Sequence, residues 1–248
     1  MKWIDLNCDI GEATDADGIA REAELVGLVS RVNIACGGHA GDAESMRRTV
    51  LLALEAGCAI GAHPSYPDRE HFGRKSVAMD ALALEGELRR QIERLAEIAE
   101  VCGGVVGHVK AHGALYHDCA RDEEVAGAIA RAAGAEWLLV GGAGTASLGH
   151  WRAMGRGCIA EAFADRVYEV DGRLRARTEE RSVILEPGDA AAQAVGIARD
   201  GRVQAHDGTV IEVEAGTICV HGDTPGAVEM AKAVREAMEG AGIGIGRA

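Results

Sequence analysis

The chain has 248 residues, nearly half of them apolar, few aromatic side chains and a formal net charge of −13. Such a length accommodates one large α/β domain with a substantial core, and an acidic chain without a basic stripe or stacking platform excludes nucleic acid as a partner. No apolar run approaches the roughly 20 residues of a membrane span and no basic, apolar leader opens the chain, so the expectation is a cytoplasmic protein with no membrane partner.

In chain order, short β-branched runs alternate with segments of helical periodicity, the pattern of a parallel sheet wrapped by helices. The first strand, "WIDLNCDI", ends in Asn7, Asp9 and Glu12. "RVNIACG" leads to His39 and Asp42, then to the helix "AESMRRTVLLALEAG". "AIGAHP" carries His63 and precedes the long helix "DALALEGELRRQIERLAEIAEVCG". "VVGHVKAHG" brings Lys110 and His112, two residues apart and so expected on one face. After the helix "DEEVAGAIARAAG" come "EWLLVGG" and "CIAEAFAD", the latter leading to Glu161, Asp165 and Arg166. The rhythm then breaks with "EVDGRLRARTEERS", a helix from about Pro187 and a hairpin turning at Asp207-Gly208. "TICVHGD" resumes it and ends in His221 and Asp223.

Seven βα units closing on themselves predict a distorted seven-stranded parallel β/α barrel of the TIM type, with an open doubly wound sheet as the alternative. The expected organisation is a single domain over 1–248 with an excursion at about 167–214, between the sixth and seventh barrel strands. In either architecture the strand ends share one face, where active sites are built.

Strand ends meet water, so a lone Asp there reads as a turn residue or helix cap. Asp80 and Asp122 read as helix starts, and Asp42 stands between a cap and a site residue. Histidine has no favoured capping role at a strand C-terminus, yet His39, His63, His112 and His221 all fall there. Together they read as a functional site. His71, His108, His117, His150 and His206 read as surface or packing residues.

Other chemistries are poorly supported. "VGGAGTAS" lacks the Gly-Lys-Ser/Thr ending of a P-loop, no G-x-G-x-x-G follows the first strand, and no G-x-S-x-G elbow is present. The seven cysteines are scattered without C-x-x-C spacing and read as small core residues. A metal remains open: Asp9, His63 and His112 are candidates for a mixed O/N site at the barrel mouth.

"DLNCDIGE", "NIACGGHAGD", "GAHPSYPDREHFGR", "VKAHGALY", "EAFADRVY" and "CVHGDTP" together resemble, in order and spacing, the LamB/YcsF family over almost the whole chain. The family usually has an aromatic residue at Gly38 and a proline at Ala111. The resemblance implies a β/α barrel related to polysaccharide deacetylases, acting as the A subunit of an ATP-dependent 5-oxoprolinase. The small-molecule substrate would be 5-oxo-L-proline, opened to L-glutamate with ATP as co-substrate, in a complex with 5-oxoprolinase subunits B and C. The ATP site would not lie wholly on this chain, and a divalent metal is a further candidate cofactor.

A lactam is a resonance-stabilised amide. Phosphorylating its oxygen makes it a better electrophile, and hydrolysis then needs a base for water, positive charge for the developing anion and an acid for the departing nitrogen. On this reading Asp9 or His112 is the base, Lys110 the electrostatic partner of the phosphate or oxyanion, and His63 a proton-transfer group. Asn7, Glu12, His39, Arg74, His221 and Asp223 would bind or orient the substrate. The rivals are a metal-dependent, deacetylase-like amide hydrolase acting alone, and a non-catalytic partner subunit.

Overall fold

The computed structural model describes residues 2–222 and 226–246. The chain runs through β1 (Lys2–Ile10), α1 (Ala16–Val26), β2 (Arg31–Ala35), α2 (Ala43–Glu55), β3 (Ala59–His63), α3 (Ala81–Val101) and β4 (Val106–Lys110). It continues with α4 (Gly113–Cys119), α5 (Glu123–Ala132), β5 (Leu138–Gly142), α6 (Ala146–Ala153) and β6 (Cys158–Phe163). Then come α7 (Pro187–Asp200), β7 (Arg202–Gln204), β8 (Val210–Glu212), β9 (Thr217–Cys219), α8 (Ala227–Gly240) and β10 (Ile243–Ile245).

Local chemistry starts and stops these elements. Asp15, Asp42, Asp80 and Asp122 accept backbone N–H groups of the first turns of α1, α2, α3 and α5, satisfying donors that a helix start leaves orphaned. Asp42 forms a full capping box with Ser45, which assigns it to the helix rather than to the site. Gly57 (φ 71°) and Gly103 (φ 83°) follow α2 and α3 in the left-handed conformation that glycine adopts without strain. The face that α3 packs inward holds Leu84, Leu88, Ile92, Leu95 and Ala99, spaced as a helical stripe requires.

Seven parallel strands close in the order β1-β2-β3-β4-β5-β6-β9, because β1 pairs with β2 on one side and β9 on the other. Closure excludes the open doubly wound sheet. β1 is longer than the barrel strands beside it, and its first residues project below them. There Lys2–Ile4 pair with β10, a strand that the sequence pattern does not announce. Between β6 and β9 lie α7 and the antiparallel β7–β8 pair, in the register Arg202↔Glu212 to Gln204↔Val210. Arg166, expected near the site, instead donates to the carbonyls of Arg175 and Ser182 and ties down this excursion.

Strand alternation sets up two different cores. Ile4, Leu6, Cys8 and Ile10 of β1 face the surrounding helices and are buried. The opposite face carries Asp5, Asn7 and Asp9, which meet Arg31 and Asn33 of β2, Lys110 of β4 and Glu161 of β6. Hydrogen bonds between β1 and β4, which are not neighbours, span the lumen. Where TIM-type barrels stack branched aliphatic residues, this barrel stacks amides, carboxylates and cations.

Candidate active site

The lumen is polar from its base upward, and each level positions the one above. At the base Asp5 pairs with Arg31 and accepts from the Ser30 hydroxyl at 2.5 Å. Above it, Asn33 Nδ2 donates to Asn7 Oδ1 and Asp9 Oδ1, both at 2.8 Å. Asn7 Nδ2 in turn donates to Glu161 Oε1 at 3.0 Å and Thr217 Oγ1 at 2.8 Å. His108 Nε2 donates to Asn33 Oδ1 at 2.8 Å. Its ring occupies the space beside Gly61, where a Cβ would lie 2.0 Å from Nε2.

Lys110 crosses the top of this stack. Its Nζ lies 2.9 Å from Asp9 Oδ1 and 2.9 Å from Glu161 Oε1, with 2% of the residue exposed. Burial alone would push its pKa down, but Asp9, Cys219 and Glu161 outweigh it and hold the ammonium well above the ordinary lysine value. Burial likewise works against the Asp9 carboxylate, and His63 and Lys110 overcome it, keeping the group well below the usual carboxylate range. Asp9 and Lys110 are therefore a fixed ion pair. With Oδ1 committed to Lys110 and Asn33, Asp9 turns Oδ2 toward His63 at 3.4 Å.

The rim is a group of imidazoles around Glu12. His63 Nδ1 donates to the Lys110 carbonyl at 2.7 Å and His112 Nε2 donates to the Phe72 carbonyl at 3.0 Å. His63 Nε2 and His112 Nδ1 then face each other at 3.0 Å. His39 stacks flat on His112, centroids 3.6 Å apart, with Nε2 2.9 Å from Glu12 Oε1. Burial and the neighbouring histidines push His39 and His112 down to about 2, so both rings are neutral. Gly73 is needed for this packing, since a Cβ there would meet His39 Cβ at 2.9 Å and His112 Cδ2 at 3.1 Å.

Asn7, Asp9, Glu12, His39, His63, Lys110 and His112 thus converge at the C-terminal mouth of the barrel. His221 stands at its wall, stacked on Phe163 and bonded through Nδ1 to Asp165 at 2.9 Å. Arg74 is exposed on the loop after β3, its guanidinium 5.1 Å over the Phe72 ring. Asp223 lies outside the described residues. Two side chains differ from their expected orientation. Lys110 turns into the lumen toward two carboxylates rather than out toward a ligand, and His112, which begins α4, directs both ring nitrogens at protein atoms. Of the candidates Asp9, His63 and His112 for a mixed O/N site, the two histidines fall in a group of donors within 4.8 Å of one another that also includes Glu12 and His39.

Asn33 and His108 are the site-building residues that the strand-end rule misses, because they lie inside strands. A signal was present. Asn33 sits two residues beyond Arg31, and His108 two before Lys110, so both share the lumen face. At Gly38, one of the two positions where the sequence departs from the expected family pattern, a Cβ would lie 2.4 Å from Ser65 Oγ and 2.5 Å from Gln91 Oε1. Gln91 fills that space, bonded to the backbone of Ser65 in both directions.

Comparison with known proteins agrees with this architecture. The model of the LamB/YcsF family matches residues 4–248. The chain is 50% identical over 248 residues to the A subunit of 5-oxoprolinase from Chloroflexus aggregans, covering 99% of this chain and 98% of that one. It superposes on the crystal structure of a lactam utilization protein from Thermus thermophilus with a TM-score of 0.93, at 39% identity and full coverage of both chains. A family 4 carbohydrate esterase from Streptomyces lividans shares the fold alone, with a TM-score of 0.53 at 11% identity over 99% of this chain and 92% of that one.

Proposed function

The chain belongs to the LamB/YcsF family, and from that premise we propose that it is the A subunit of a 5-oxoprolinase, opening 5-oxo-L-proline to L-glutamate at the barrel mouth. One observation carries the reading: Asp9 is held ionised beside a buried lysine, with one oxygen committed to the barrel and the other turned to a rim of imidazoles. A carboxylate so fixed is ionised at any working pH and already oriented, so it is available to a proton from water without first losing one.

ATP is the co-substrate of the complex, and subunits B and C are the partners. ATP delivers its terminal phosphoryl group to the lactam oxygen, ADP leaves, and a first water adds to the carbon that bears this oxygen. Asp9 takes the proton from that water, the ring C–N bond breaks with its nitrogen protonated to leave an acyl phosphate, and a second water hydrolyses this to the carboxylate and inorganic phosphate. Lys110 serves this step through Asp9, not by touching phosphate, because its ammonium is enclosed by two carboxylates. Arg74, on the exposed loop, would receive the substrate carboxylate, with His221 and Asp165 lining the mouth.

The His/Glu cluster favours a second reading, a metal-dependent amide hydrolase that needs neither ATP nor partners. Glutamate formation from 5-oxoproline by this chain, with and without ATP and subunits B and C, separates the two. Turnover only in the complete mixture supports the first reading, and turnover by the chain alone without ATP supports the second.

A further inference from the structure

The two facing histidines pose an electrostatic problem. His63 spends its Nδ1 proton on the Lys110 carbonyl and His112 its Nε2 proton on the Phe72 carbonyl. A carbonyl only accepts, so each ring carries a proton on that nitrogen, and in a ring with no second proton the other nitrogen bears a lone pair. Those nitrogens, His63 Nε2 and His112 Nδ1, are 3.0 Å apart in a site where His63 is 1% exposed and His112 7%. Two buried lone pairs at hydrogen-bond distance repel unless a cation lies between or beside them.

Anionic oxygen approaches from two sides. Glu12 Oε1 is 3.4 Å from His112 Nδ1, and Asp9 Oδ2 is 3.4 Å from His63 Nε2. The separations of 3.0 Å between the ring nitrogens and 3.4 Å from His112 Nδ1 to Glu12 Oε1 match those between donors each about 2.0–2.2 Å from one ion, and the three donors all lie within 4.8 Å of one another. Imidazoles whose second nitrogen donates to a backbone carbonyl are also the usual arrangement of metal-bound histidine, because that bond fixes the tautomer and the ring. Lys110, the strong cation nearby, is already engaged by Asp9 and Glu161.

We infer that the barrel mouth is a divalent transition-metal site of the zinc class, with His63 Nε2, His112 Nδ1 and the Glu12 carboxylate as ligands. His39 is a positioning residue: its Nε2 donates to Glu12 at 2.9 Å and its ring lies flat on His112. Three protein ligands would leave the ion a coordination position for water or substrate, as in catalytic sites. When bound, the ion would supply Lewis-acid charge beside Asp9. The inference shares the site of the proposed lactam chemistry but stands on ring geometry, so metal stoichiometry and lactam turnover fail independently.

Metal analysis of the full-length chain purified without added metal or chelator, followed by chelation and titration with Zn²⁺ and Co²⁺, tests it. Expected are one ion per chain at saturation and, for Co²⁺, visible absorption of a low-coordinate complex. His63→Gln and His112→Gln, with unchanged far-UV circular dichroism, should lose that stoichiometry. His39→Ala should keep it with affinity weakened about 10–100-fold. Should the glutamine variants fail to fold, the wild-type cobalt spectrum and stoichiometry still decide. A folded wild-type chain that binds neither ion stoichiometrically overturns the site and leaves a shared proton between the rings.

Discussion

Lys110 illustrates how one buried side chain can hold several others in place. Its ammonium neutralises Asp9 and Glu161 inside the barrel, and removing one partner of a buried ion pair leaves the others uncompensated. Lys110→Met should therefore destabilise the fold by about 3–5 kcal/mol, measured by urea unfolding. A loss below about 1 kcal/mol would mean that the pair is solvated like a surface one. Asp42 makes the contrast. Because it caps α2 and faces solvent, Asp42→Ala should cost about 1 kcal/mol of stability and leave turnover of the complete complex unchanged. Loss of turnover in the folded variant would return Asp42 to the site. The residue types at the strand ends were legible in the sequence, but their partners were not: Lys110 and His112 stand two apart and reach the same mouth, one within the lumen and one on the rim.

At the scale of elements, β3 and β4 fit because a glycine on one makes room for an imidazole on the other. Gly61→Ala would place a methyl group 2.0 Å from His108 Nε2, and overpacking of this kind costs about 1–3 kcal/mol. Adding His108→Ala should recover part of that loss, so the two changes are non-additive in a double-mutant cycle of unfolding free energies. Strict additivity would show that the ring does not fill the space. The links from β6 to the chain after β9 rest on Asp165, which accepts from both the backbone and the ring of His221. Burial opposes its charge, yet His221 wins and holds the carboxyl below its ordinary value. A depressed carboxylate contributes stability above the unfolded pKa of about 3.9, and this is lost as pH falls through the folded value. His221→Ala should thus be less stable than wild type at neutral pH, with the two unfolding curves converging in acid. A stability difference that persists undiminished in acid would contradict the pairing.

For the whole molecule, the β/α rhythm made the seven barrel strands legible, since period-two runs bounded by glycine and polar residues are local signals. The polar lumen was harder to read. Asn33 and His108 look like ordinary strand interior until closure places β2 and β4 across a shared space from β1, and closure is a long-range property that no local pattern carries. β10 was hidden for the same reason: "IGI" is too short to read as a strand without the projecting start of β1 beside it. Among the described residues no helix is long and apolar enough to cross a membrane. The assembled barrel gathers one ion pair and one imidazole rim at a single mouth, and the proposed activity requires that both sit on this chain. Following glutamate released from 5-oxoproline by the chain combined with ATP and subunits B and C, wild type against Asp9→Asn, tests this most directly. The account predicts steady release from wild type and a fall of about 10²–10⁴-fold for the folded, complex-forming variant; near wild-type release from Asp9→Asn would contradict it.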